Sequence, residues 1–181
     1  MKTLTLFAFI LGTSALVFAG PNDHSARLEN QEARIVAHVH AVDQLEMELG
    51  KLAQSNGTSS VKAYGRMVAN DHMTFDKKLV AFANHRGIST IPADDMVAAG
   101  DKTDIDTEKG KLQALKGAAF DREFLPFMKT AHDNEIDKLD KNMGDIHDPE
   151  LKTMLETLKP QLQHHADEAQ RLEKNEPMSR R

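Results

Sequence analysis

Four stretches of this chain repeat apolar residues at spacings of three and four, and an ionisable side chain breaks each repeat near its middle. The first seam reads Ile35, Val39, Val42, Glu46, Leu49 and Ala53. The second reads Val61, Gly65, Val68, His72, Phe75, Leu79 and Phe82. The third runs Asp121, Leu125, Met128, His132, Ile136, Leu139 and Met143, and the fourth Leu151, Leu155, Leu158, Leu162, His165, Ala169 and Leu172. This is the period of an α-helix, and one-sided helices have to bury their seams against each other. Glu46, His72, His132 and His165 then point inward, where a polar group must pair or bind a metal.

Punctuation along the chain sets the helix limits. The first helix is expected from Ser25 to Ser55, stopped by Asn56-Gly57, and Ser59 or Ser60 caps the second, which ends at Arg86-Gly87. Residues 88–110 carry Asp94, Asp95, Asp101, Asp104, Asp106 and Glu108 and read as a solvated crossover, with at most a short helix over 93–99. The acidic spacing lacks the central glycine and terminal glutamate of an EF-hand loop. A third helix spans Lys111–Met143 with a break near Gly117, and Pro126 inside it should kink it or open a new first turn. Asp148 caps the fourth helix, with Pro149 at its first position and Pro160 one turn before His165. Two short links and one long connection describe an all-α, antiparallel four-helix bundle of ferritin-like connectivity, its crossover lying between helices 2 and 3.

Residues 1–19 read as a signal peptide: Lys2, an apolar run from Leu4 to Phe18, and a small-x-small site at Val17-Phe18-Ala19. The bundle then occupies 20–181, with no transmembrane segment after signal removal, and the expected location is periplasmic, with outer-membrane association left open. There is no cysteine, which excludes disulfides, thiolate ligands and cysteine nucleophiles. The 23 Lys and Arg against 28 Asp and Glu give a formal charge of −5, and loss of Lys2 takes it to −6. The signs alternate along the helices, and nothing basic enough to follow a phosphate backbone is present, so no nucleic-acid partner is expected.

Several stretches resemble a known family. They are Leu45-Glu46-Met47-Glu48-Leu49-Gly50-Lys51-Leu52-Ala53, the run from Val61 to His72, Gly117-Ala118-Ala119-Phe120-Asp121-Arg122, Ala131-His132, and Pro160-Gln161-Leu162-Gln163-His164-His165. On these the chain resembles the ferritin-like domain-of-unknown-function family of exported bacterial proteins, often labelled outer-membrane proteins. The resemblance implies a ferritin-like fold and picks out Glu46, Asp71-His72, Asp121-Arg122, His132 and His165, but it implies no activity. The chain departs from the family pattern at Phe124, where a tyrosine is common, and at Pro126.

Three imidazoles and one carboxylate suit a single transition metal ion such as zinc, copper or iron better than a hard cation. Glu46, His72, His132 and His165 are the candidate ligands, with Asp71, Asp121 and Arg122 around them. Glu46 and His72 lie at similar distances from the first turn, whereas His132 and His165 differ by roughly 7 Å in height from the second. A ferritin-type di-iron centre fits poorly, because no Glu-x-x-His occurs, and the reversed His132-x-x-Glu135 and His165-x-x-Glu168 read as solvated acids. His38-x-His40 faces two sides of a helix and reads as surface, as does His164. The methionines read as core filler. No nucleophile–base set is legible, so the reading is a non-catalytic metal-binding or envelope-stress protein. The alternative is a structural or interaction module, with an envelope protein or a second copy as partner, whose core polar groups form a hydrogen-bonded network without metal.

Overall fold

The computed structural model describes the backbone of residues 21–90 and 99–175, and the side chains of 31–90 and 107–175. The expected signal peptide at 1–19, and residues 93–98 of the short helix expected in the crossover, lie outside the described residues. The chain is a helical bundle: α1 (Pro21–Asn56), α2 (Ser59–Arg86), α3 (Ala99–Ala114), α4 (Gly117–Asn142) and α5 (Pro149–Asn175), with a 3₁₀ turn at Met143–Asp145. No strand occurs among the described residues.

Three boundaries differ from expectation. Residues 111–114 close α3 rather than opening the third long helix; Gly117, at φ 56°, starts α4 afresh. The connection is therefore more helical than its acidic composition suggested. Pro126 does not open a new first turn: α4 runs through it, and Thr130 Oγ1 donates to the Pro126 carbonyl at 2.9 Å. The cap of α2 is Thr58, not a serine, and its own side chain makes no capping bond.

The other ends follow the sequence closely. Gly87 adopts φ 68°, and the Ile88 N–H reaches the Ala83 carbonyl at 2.9 Å, closing α2 with the left-handed glycine that Arg86-Gly87 announced. Asp148 Oδ1 accepts the N–H groups of Glu150 and Leu151 at 2.8 and 3.1 Å, capping α5.

Packing is tightest where α1 crosses α2. A Cβ on Gly50 would lie 2.5 Å from the Gly65 carbonyl, and one on Gly65 would lie 2.6 Å from the Gly50 carbonyl. Only two glycines let the backbones meet there. That contact fixes the height of α1 against α2.

The apolar core forms two clusters. One gathers Leu49, Val61, Tyr64, Val68, Phe120, Phe124, Met128 and Leu172; the other gathers Val36, Phe75, Leu79, Leu139, Leu155 and Leu162. On every long helix the residues between the clusters are the polar ones: Asp43 and Glu46 on α1, His72 on α2, His132 on α4 and His165 on α5. The seam interruptions thus form one buried polar belt across the bundle.

Candidate functional site

The belt has its three imidazoles in mutual contact. Ring centroids are 5.1 Å apart for His132 and His165, 5.3 Å for His72 and His165, and 5.8 Å for His72 and His132. One nitrogen from each ring lies within 4.8 Å of the other two. The rough difference in height that the sequence implied for His132 and His165 is absorbed by the packing of α4 on α5, since His165 Nδ1 stands 3.2 Å from His132 Nε2.

Each ring has its other nitrogen anchored. His132 Nδ1 donates to the Met128 carbonyl at 2.7 Å, one turn back on its own helix. His165 Nε2 donates to Asp71 Oδ2 at 3.0 Å, and His72 Nδ1 to Asp43 Oδ1 at 2.7 Å. A carbonyl or carboxylate fixes the tautomer by accepting, so the inward nitrogens of His132 and His165 carry lone pairs. His72 Nε2 has no hydrogen-bond partner although it is buried.

Electrostatics keep two of the rings neutral. Burial and the neighbouring His165 and His72 pull His132 down to about 3, and burial pulls His165 down to about 4 against the opposing pull of Asp71. Two bare nitrogens therefore face each other at 3.2 Å, a repulsive contact unless a cation is shared. Tetrahedral coordination at 2.0–2.1 Å sets two ligand nitrogens about 3.3 Å apart, close to the separation found. His72 is different. Burial lowers it, but the hydrogen bond from its ring to Asp43 and the charge of Glu46 outweigh burial and raise it.

The carboxylates divide sharply. Glu46 is buried beside His72, its Oε2 has no hydrogen-bond partner, and burial drives its carboxyl up to about 7. Burial likewise raises Asp43 to about 6 against the pull of His72. Asp71 lies at the edge of the belt, its side chain 36 % exposed, so it joins His165 to solvent. Asp121 is fully buried but serves elsewhere: its oxygens accept the Thr58 N–H at 3.2 and 3.4 Å, supplying the cap that α2 lacks. It sits eleven positions before His132 on α4, roughly 16 Å along the axis. Arg122 is exposed.

Of the residues singled out from the sequence, the structure brings together His72, His132 and His165, sets Glu46 beside His72, and joins Asp71 to His165. Sequence reasoning set Glu46 and His72 at similar heights but missed Asp43, which holds the His72 ring. The only signal was position: Asp43 precedes Glu46 by three residues, on the same helical face. Glu135, expected to be solvated, is buried under His38, which reaches its two oxygens at 2.9 and 3.1 Å. His40 is half-buried on Asp76 at 2.5 Å, with Gln44 on the other oxygen at 2.9 Å. Glu168 does lie outward, paired with Arg171.

The family described as a domain of unknown function, DUF4142, matches residues 18–172. This chain belongs to that family. The match covers α1, α2, α4 and α5 as far as Leu172, and every residue of the belt, so the belt is part of the DUF4142 domain itself rather than of an appendage. No curated protein and no solved structure matches the chain. No helix among the described residues is long and apolar enough to cross a membrane.

Proposed function

We propose that this DUF4142 protein is an exported, periplasmic, ferritin-like four-helix bundle that binds one transition metal ion in its core. His72, His132 and His165 are the ligands and Glu46 the neighbouring carboxylate; Asp43 and Asp71 orient two of the rings. Asp121 supports the start of α2 rather than the ion, and Arg122 lies exposed, away from it. The ferritin-like connectivity is supported at the helix ends. Glu32 on α1 accepts the His147 N–H just after α4, and Arg86 at the end of α2 pairs with Asp148 at the start of α5. With short turns joining α1 to α2 and α4 to α5, α2 and α4 run the same way, which requires a connection as long as the bundle.

The observation that carries the metal reading is the pair of bare nitrogens on His132 and His165, with the unpartnered His72 Nε2 beside them. Three anchored imidazoles aimed at one point match how proteins hold zinc, copper or iron(II). A network built only for helix register would satisfy its inward nitrogens, as the His38–Glu135 and His40–Asp76 pairs do. The proposed role is metal binding connected with envelope stress rather than catalysis.

Elemental analysis of the protein isolated from its native compartment tests this, beside a His72→Ala, His132→Ala double variant. Close to one transition metal per chain, lost in the variant, is expected. A wild type without metal after exposure to zinc, copper and iron would instead leave the belt as a hydrogen-bonded network and move the function to the surface.

A further inference from the structure

The ion has a required charge, and the core's own charge count supplies it. Building on the metal reading above, we infer that Asp43 and Glu46 together make the belt a site for a dication and select against a monocation of similar ligand preference. The described residues bury five carboxylates, Asp43, Glu46, Asp76, Asp121 and Glu135, and no lysine or arginine. Three have partners outside the belt. Asp76 is held by His40 and Gln44, Glu135 by His38 and by Lys138 at 3.5 Å, and Asp121 by the Thr58 N–H.

The other two flank the imidazoles. Asp43 Oδ2 and Glu46 Oε2 have no hydrogen-bond partner, and the ring beside both is His72. Two buried negative charges then lie next to three ligands that bring no charge of their own. A dication on the rings balances both carboxylates. A monocation balances only one, and the other must either take up a proton or stay uncompensated in a dry core. Ligand softness does not separate the two, because imidazole accepts copper(I) and silver(I) as well as zinc, cobalt or iron(II). Charge does. The side chains that decide specificity are thus the carboxylates on α1, while the rings decide only that a transition metal binds.

The test compares cobalt(II) and silver(I) on the purified full chain, cobalt by its ligand-field absorbance and silver by competition. Wild type, Glu46→Gln and Asp43→Asn are measured in parallel. Each substitution keeps side-chain shape and removes one charge, and Glu46→Gln also removes an unpaired buried carboxylate, so it should fold at least as well as the wild type. Coulomb energy scales with the charge of the ion, so each variant should lose about twice as much log affinity for cobalt as for silver. The cobalt-to-silver selectivity ratio is expected to fall by about tenfold or more in each. An unchanged ratio, whether both affinities fall equally or neither moves, overturns charge selection and leaves the metal site standing. A wild type that binds neither ion overturns the metal reading and this inference with it.

Discussion

His72 with Asp43, and His38 with Glu135, are both histidine–carboxylate pairs that tie α1 to another helix, and on α1 they are separated by little more than one turn. They behave in opposite ways. Glu135 is buried, which pushes its carboxyl up, but the His38 bond and the Lys138 charge outweigh that and hold it below the ordinary range. In the belt no such excess of cation exists, and Asp43 and Glu46 are pushed up to about 6 and 7. Residue type is the same in both places. What differs is the supply of partners: at the rim a lysine can reach in from solvent, whereas in the centre only His72 is available. A polar group with its full complement of partners is structure, and one without it is a candidate site.

The largest expected effect comes from breaking the central pair on one side only. Asp43→Ala strands the His72 ring and should cost about 3–5 kcal/mol in urea unfolding of the metal-free protein, whereas replacing both residues by leucine should be near neutral or stabilising. If the single and double variants lose equal stability, the belt is not the strained partner in the comparison. Next in size is Gly65→Ala. Its new methyl meets the Gly50 carbonyl, so α1 and α2 must separate, at about 1–3 kcal/mol. Because the same contact sets Asp43 against His72, metal affinity should fall with stability, which the two measurements together would reveal.

The pH dependence of the metal-free protein sharpens the contrast further. Asp43 and Glu46 have folded values above their ordinary 3.8 and 4.5, so their support is present at low pH and is withdrawn as pH rises through about 6 and 7. His132 and His165 have folded values below 6.5, so theirs is present above 6.5 and is lost as pH falls through about 4 for His165 and about 3 for His132. The two trends offset in between. Thermal melts should show a plateau over about pH 4.5–6.5, a steep loss below about pH 4, and a gentle decline above neutrality as Glu46 and the raised His72 release protons. Bound zinc should remove the alkaline decline; a decline of the same depth with and without metal would contradict the belt assignment. The smallest effect is expected at the rim. His40→Ala removes one partner of the buried Asp76 but leaves Gln44 on its other oxygen, and should cost about 1 kcal/mol, with metal binding unchanged.

Most of the architecture was legible before any coordinates. The seam interruptions at Glu46, His72, His132 and His165 stand out because each falls in the middle of an otherwise apolar run, and all four are buried. The Arg86-Gly87 stop and the Asp148 cap were legible for a similar reason, since helix ends are local chemistry. Asp43, Glu135 and the partner of Asp121 were not. A carboxylate beside a helix seam looks the same in sequence whether it meets water or a partner from another helix. Asp121 illustrates this well, because the amide it satisfies lies 63 residues away at the start of α2. The α3 boundary was missed because an acidic, weakly amphipathic segment carries little pattern to read.

The sequence by itself therefore determined the four long helices, their buried faces and the identity of the polar interruptions, all of which follow from a period of 3.6 residues and from local capping. Only the tertiary structure decided which interruption touches which. Ring-to-ring contact depends on the relative heights of helices joined by a long connection, and a shift of two residues, about 3 Å, would separate them. It also decided which carboxylates find cations. That depends on what the neighbouring helices present across the core, and burial turns the difference between Glu135 and Glu46 into opposite charge behaviour.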